Sequence, residues 1–188
     1  MMENNLNLFE NCRVISATRS DEEFLRALNY GTEIIFDLDP DLMNISVKVK
    51  KAHEAGKKYF IHVDLAKGIG KDESGVRFLR RIGADGVIST KVGVIKLARE
   101  QGLLTVQRFF IVDSHSINTT VDSVKTSKPD MIEIMPGTLC KVVDRIKKCV
   151  DVPIIAGGLV ETEEEIREIL SNDVSAVSTA RCELWNLK

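Results

Sequence analysis

The sequence predicts an α/β fold: eight parallel strands closed into a barrel inside a ring of helices. Three observations predict it. Short apolar runs alternate with amphipathic stretches along the whole chain, which is the signature of a parallel sheet. The alternation recurs eight times at about 23 residues per unit in a chain of 188 residues, with short connections. The last two strand-like runs end in small residues, Gly157-Gly158 and Ser178-Thr179, as expected where the top of a barrel holds an anion. Such barrels typically have ~250 residues, so this one is expected to be lean, a single compact domain over residues 1–188. An open doubly wound sheet is the alternative. It is disfavoured because the first strand runs into Arg19-Ser20-Asp21 rather than a Gly-x-Gly-x-x-Gly turn.

Strands are expected over residues 13–17, 33–38, 59–64, 86–89, 105–112, 131–135, 153–156 and 176–178. Helices are expected over 21–29, 42–55, 73–82, 92–101, 117–126, 139–149 and 163–170. Ser20 with Glu23, and Thr162 with Glu165, have the spacing of a capping box and mark the starts of the first and last helices. Gly56, Gly83 and Gly102 stand just past the ends of the second, third and fourth.

With 44% hydrophobic and 29% charged residues the composition is that of a soluble globular chain. No apolar run approaches the ~20 residues needed to span a membrane. The start, Met1-Met2-Glu3-Asn4-Asn5-Leu6, lacks the basic and apolar regions of a signal peptide, so a cytoplasmic location and no membrane partner are expected. Cys12, Cys140, Cys149 and Cys182 are scattered without a Cys-x-x-Cys pair, and reduced thiols with no metal are the expectation. A net charge of −2 is not that of a globally basic nucleic-acid binder, so any RNA contact must come from a local patch. Candidate patches are Lys48, Lys50, Lys51, Lys57 and Lys58 around the second helix, Arg77, Arg80 and Arg81 on the third, and Lys141, Arg145, Lys147 and Lys148 on the sixth. One Trp and two Tyr provide no stacking platform for bases.

Ligand chemistry in a barrel sits at the C-terminal ends of the strands. Those ends carry Asp37-Leu38-Asp39, then His62 and Asp64, then Lys67, then Ser89-Thr90-Lys91, then Gln107-Arg108, then Glu133 with Met135-Pro136-Gly137. A period of two places His62 and Asp64 on one face. Asp64 reads either as an acceptor for a ligand hydroxyl or a general base, or as a carboxylate capping the next loop. His62 reads most simply as a neutral, hydrogen-bonded side chain in a polar interior layer. Glu133 lies mid-strand among apolar neighbours and needs a cation, for which Lys91 and Arg108 are candidates. Gly157, Gly158, Ser178 and Thr179 are expected to hold a phosphate, with the turn over residues 181–185 as the short helix receiving it; a tight turn at the glycines and a plain helix cap at Ser178-Thr179 are the alternatives.

Taken in order, His62-x-Asp64-Leu65-x-x-Gly68-Ile69, Gly86-Val87-Ile88-Ser89-Thr90-Lys91, Gln107-Arg108-x-Phe110, Glu133-Ile134-Met135-Pro136-Gly137, Pro153-Ile154-Ile155-Ala156-Gly157-Gly158-Leu159 and Ala176-Val177-Ser178-Thr179 with Leu184-Trp185 resemble the glycerol-3-phosphate-responsive antiterminator family, regulators of bacterial glycerol uptake operons. The resemblance implies a TIM-barrel regulator that binds glycerol 3-phosphate, acts on leader mRNA to prevent early termination, and catalyses no reaction. On that reading Gly157, Gly158, Ser178 and Thr179 take the phosphate, Asp64 accepts from a hydroxyl, and Lys91 and Arg108 balance charge at the rim. The switch is expected in the loop over residues 66–72 or in a changed homo-oligomer. One departure is Asn172-Asp173-Val174, where such barrels carry Gly-Ala ahead of the last strand. The competing reading is a phosphosugar isomerase or aldolase-like lyase, with Asp64, Lys67, Lys91 and Glu133 supplying acid–base chemistry or a Schiff-base lysine.

Overall fold

The computed structural model describes residues 6–187. The opening residues read above for a targeting signal lie largely outside that span. Eight strands, β1 (Val14–Thr18), β2 (Ile34–Asp37), β3 (Lys58–His62), β4 (Gly86–Ser89), β5 (Leu104–Phe110), β6 (Met131–Met135), β7 (Ile154–Gly157) and β8 (Ala176–Thr179), form a closed barrel in sequence order. Every neighbouring pair is parallel, and β8 returns to β1 with Val177 opposite Val14. The helices are α1 (Asp21–Ala27), α2 (Ile45–Glu54), α3 (Glu73–Arg81), α4 (Val92–Glu100), α5 (Ser114–Ser127), α6 (Cys140–Lys147) and α7 (Glu163–Ser171).

The strands are buried on both faces, which is why they read as apolar runs rather than alternating ones. Ile15, Phe36, Phe60, Ile88, Val106, Met131, Ile155 and Ala176 fill the barrel, while Ile35, Ile61, Val87, Ile132 and Val177 pack under the helices. Gly86 is small because Phe60 is large: a Cβ there would sit 2.4 Å from a ring carbon of Phe60. A short 3-10 helix, Leu6–Phe9, adds Leu8 and Phe9 to the inner cluster. No sequence signal announced it.

Element ends differ from expectation for local reasons. The third strand stops at His62, and a 3-10 turn (Val63–Leu65) takes Asp64 out of the sheet. Helix α5 starts at Ser114 rather than 117 because Asp113 and Ser116 form a capping box. The Thr162–Glu165 box forms as expected. At α1, Ser20 accepts from the Glu23 amide, but the Glu23 carboxylate takes the Arg19 amide instead of that of Ser20. The Asn172-Asp173-Val174 departure costs no register: Asp173 itself adopts φ of 56°, a left-handed conformation that aspartate tolerates, and β8 pairs with both neighbours.

Two lysines of the second-helix patch are structural. Lys48 is buried, with Nζ 2.8 Å from Asp21 and 3.4 Å from Asp37, whose carboxylate also accepts from the Tyr59 hydroxyl. Lys57 Nζ donates to the carbonyls of Tyr30 and Thr32, and its burial pushes its pKa down. Neither offers a charge to a nucleic acid. Among the described residues no helix is long and apolar enough to cross a membrane.

Candidate functional site

Along the inner face of the barrel, side chains change from apolar to polar at the C-terminal end. Strand alternation sets Arg108 of β5, Glu133 of β6, Gly157 of β7 and Ser178 of β8 in one layer. Arg108 Nε donates to Glu133 Oε2 at 2.6 Å, and Ser178 Oγ donates to Glu133 Oε1 at 2.6 Å. Glu133 is 0% exposed and Arg108 6%, so each buried charge is matched where water cannot match it. Gly157 makes this possible. A Cβ there would lie 2.4 Å from Ser178 Oγ and 2.5 Å from Glu133 Oε1.

A cavity of about 410 Å³ lies over this layer, lined by the ends of β1, β6, β7 and β8 and by Arg108. Gly158 and Leu159 turn the chain after β7 with φ of 73° and 58°. Thr179 then ties the two last loops together: its hydroxyl donates to the Val160 carbonyl at 2.9 Å and accepts from the Arg181 amide at 3.1 Å. Trp185 Nε1 donates to the Thr179 carbonyl at 2.9 Å and fixes the end of β8 from behind. The amides of Leu159 and Ala180, both cavity-lining residues, donate to no protein acceptor among the described residues. Three guanidinium groups share the lining. Arg108 is held by Glu133, Arg181 by Glu161 at 2.8 Å, and Arg19 has no carboxylate partner among the described residues. Open amides beside guanidinium groups suit an anion with several acceptor oxygens.

Of the residues singled out from sequence, Arg108, Glu133, Gly158, Ser178 and Thr179 line the cavity together, and Gly157 lies just beneath it. The hydroxyl protons of Ser178 and Thr179 are already committed to Glu133 and Val160, so the donors left for an anion are main-chain amides and arginines. Gly137 is a spacer: its amide donates to the Gly158 carbonyl at 3.1 Å, and a Cβ there would lie 2.8 Å from the Gly157 nitrogen.

Asp64, Lys67 and Lys91 stand outside the cavity lining. The Asp64 carboxylate accepts from Ser89 Oγ (2.8 Å), the Thr90 amide (2.7 Å) and Thr90 Oγ1 (2.8 Å), which is the loop-capping arrangement. Burial pushes its pKa up, but the Thr90 amide and the Ser89 and Thr90 hydroxyls outweigh that and hold it below the ordinary value. Lys67 pairs with Asp39 at 2.6 Å, and its amide and carbonyl bond to the Pro40 carbonyl and the Leu42 amide, so the loop that follows β3 is tied to the one after β2. Lys91 is exposed at the start of α4, and Glu133 takes Arg108 as its cation instead.

His62 is buried on β3 with Nδ1 unpartnered. Burial, and then the Arg108 charge, lower its pKa to about 4, so it is neutral as expected but lacks the expected hydrogen bond. Among the described residues no three His, Cys, Asp or Glu side chains gather as metal ligands. Among the described residues no lysine or histidine lines the cavity. Sequence reasoning assigned no role to Arg19, and took Arg181 only as the start of the turn over residues 181–185 expected to receive the phosphate. Arg19 was within reach, because it continues the inward alternation of β1 two residues after Ala17.

Fold and site define a (β/α)8 barrel with an anion-complementary cavity at the ends of its last two strands. Residues 14–185 match the model of the glycerol-3-phosphate responsive antiterminators, and the chain belongs to that family. A glycerol uptake operon antiterminator regulatory protein from Listeria monocytogenes is 31% identical, with a TM-score of 0.90 over 96% of this chain and 98% of that one. A glycerol uptake operon antiterminator-related protein from Thermotoga maritima is 33% identical, with a TM-score of 0.83 over 93% of this chain and 98% of that one. The uncharacterized protein YgcP of Escherichia coli K12 is 39% identical over 97% of this chain and 96% of its own length. A deoxyribose phosphate aldolase from Aeropyrum pernix, 14% identical with a TM-score of 0.70 over 98% of this chain and 94% of that one, shares the fold alone. The family is regulatory, and the phosphosugar-enzyme reading is set aside on that ground.

Proposed function

We propose that the protein senses glycerol 3-phosphate in this cavity and, when liganded, acts on leader mRNA of glycerol-utilisation genes to prevent premature transcription termination. The observation that carries the reading is the pairing of open amides at Leu159 and Ala180 with Arg19 and Arg181 in one cavity. A phosphate dianion takes those donors. Each Glu133 oxygen accepts one protein hydrogen bond and keeps capacity for a ligand hydroxyl. A Schiff base needs a lysine and proton abstraction needs a poised base; among the described residues the cavity lining has no lysine, and its buried carboxylate is neutralised by Arg108. On this reading the protein works in the cytoplasm, with glycerol 3-phosphate as effector, no cofactor and RNA as partner.

Regulation then requires the ligand to favour the RNA-competent state. A hundredfold difference in affinity corresponds to about 2.7 kcal/mol of coupling. Thermal unfolding with glycerol 3-phosphate, glycerol or inorganic phosphate, followed by filter binding of a leader transcript, tests the reading. Glycerol 3-phosphate at about 100 times its Kd is expected to add roughly 2.7 kcal/mol to stability. It is also expected to tighten RNA binding without being turned over. Turnover of a triose or pentose phosphate, or RNA affinity indifferent to the ligand, would contradict it.

A further inference from the structure

We propose that the outer face of α3, α4, α5 and α6 is the surface on which the RNA backbone lies; the assignment rests on the antiterminator reading above. The net charge of −2 conceals a strong asymmetry. Residues 67–150 carry 15 Lys and Arg against 9 Asp and Glu, whereas residues 151–188 carry 3 against 8. The structure arranges the excess on one side, because α3 packs on α4, α4 on α5, and α5 on α6.

Pairing points the same way as the count. Arg80 and Arg81 at the end of α3, Lys96 on α4, Lys125 on α5, Lys128 at its C-cap and Arg145 on α6 are exposed, and none forms an ion pair among the described residues. Two cations of the face are paired, Arg77 with Glu73 and Lys147 with Asp173. On the other helices Arg26 pairs with Glu22, Lys50 with Glu54 and Arg167 with Glu163, and Lys51 is exposed with no ion pair among the described residues. Cations in a last helical turn complement the helix dipole, which is the plainer explanation of such a belt. That explanation applies equally to α7, which has no basic residue in its last turn and three acidic residues in its first. The dipole alone therefore does not produce the asymmetry.

Helices packed ~8–10 Å apart spread these charges over roughly 25–30 Å, which suits a run of phosphates rather than a single anion. The aromatic residues within 73–147 are Phe78 and Phe109, packed against the core, and Phe110, exposed at the end of β5 on the cavity side, so the helix face recognises backbone charge and not stacked bases. The ligand cavity opens at the other end of these helices, because each helix begins at the cavity end of the barrel and these charges lie mostly toward the helix C-termini.

The test is filter binding of a glycerol-operon leader transcript to the full chain in the presence of glycerol 3-phosphate across a salt series. The variant combines Arg80→Gln, Arg81→Gln, Lys125→Gln and Lys128→Gln, and the control combines Arg26→Gln with Arg167→Gln. The slope of log affinity against log salt is expected to shrink by about 0.7 for each single-strand phosphate contact removed. Affinity of the four-site variant should fall about tenfold or more at low salt. The control should match wild type, and the unfolding transition of the four-site variant should be unchanged. If wild type binds RNA in a ligand-dependent way and the four-site variant keeps its affinity and slope, the surface assignment is overturned while the sensor reading stands; a belt that docks an acidic protein would give this result. If wild type binds no leader transcript with glycerol 3-phosphate present, both fall.

Discussion

Two carboxylates near the top of the barrel solve the same problem in opposite ways. Asp64, after β3, is sealed by three donors from one neighbouring loop, those of Ser89 and Thr90. Glu133, on β6, is held by one donor from β5 and one from β8, and it borders the cavity. The first ties the end of β3 to the end of β4 and is filled by that bonding. The second joins three strands and borders a cavity that the open amides also line. The difference teaches that a polar strand end marks a site only where local partners leave donors or acceptors over.

The contrast can be broken in several places. Glu133→Ala carries the largest expected effect: it strands the buried Arg108 guanidinium and should cost about 3–5 kcal/mol in denaturant unfolding. A cost under about 1 kcal/mol would mean that the pair does not fasten the strands. Acidification comes next. His62, buried near Arg108, titrates at about 4 instead of its ordinary 6.5. Between those values the unfolded chain binds the proton and the native one does not, so stability is complete above the ordinary value and falls with pH. The loss across the window should reach about 3 kcal/mol, and His62→Gln should flatten it. Asp64 acts in the same direction at lower pH: its carboxyl is held below the ordinary value, so its contribution fades as pH drops through its folded pKa.

Gly157→Ala should destabilise by about 1–3 kcal/mol, because the added methyl meets both Ser178 and Glu133 and the core overpacks. It should also weaken glycerol 3-phosphate binding. The smallest effect sharpens the contrast most. Arg181→Ala should lower glycerol 3-phosphate affinity about tenfold, a charge-assisted bond's worth, with stability within ~0.5 kcal/mol as for other exposed sites. Lys91→Ala should change neither. Equal losses of affinity in the two variants, measured by calorimetry, would erase the distinction between the strand ends.

The barrel was legible because the strands are buried on both faces and read as largely apolar runs between amphipathic stretches, so period and punctuation agreed along the chain. The β7 and β8 ends were legible for the same reason: small residues after buried strands have few explanations. What sequence could not decide was competition among partners. Nothing local says that Asp64 spends its acceptors on Thr90, that Lys67 turns to Asp39, or that Glu133 chooses Arg108 over Lys91; those outcomes depend on which strands become neighbours and how far each side chain reaches. Arg19 escaped notice because it sits one residue past β1, where the inward alternation of Ile15 and Ala17 is still in force but no longer visible as a pattern. Gly157 was singled out as a phosphate contact, whereas its first role is to seat the Glu133 carboxylate.

The most direct test is a ¹H–¹⁵N spectrum of the labelled protein titrated with glycerol 3-phosphate. The amides of Leu159 and Ala180 should move with saturable shifts while that of Thr90, already bonded to Asp64, stays in place. Saturable shifts at Thr90 with Leu159 and Ala180 unmoved would put the ligand at the wrong end of the rim and contradict the account.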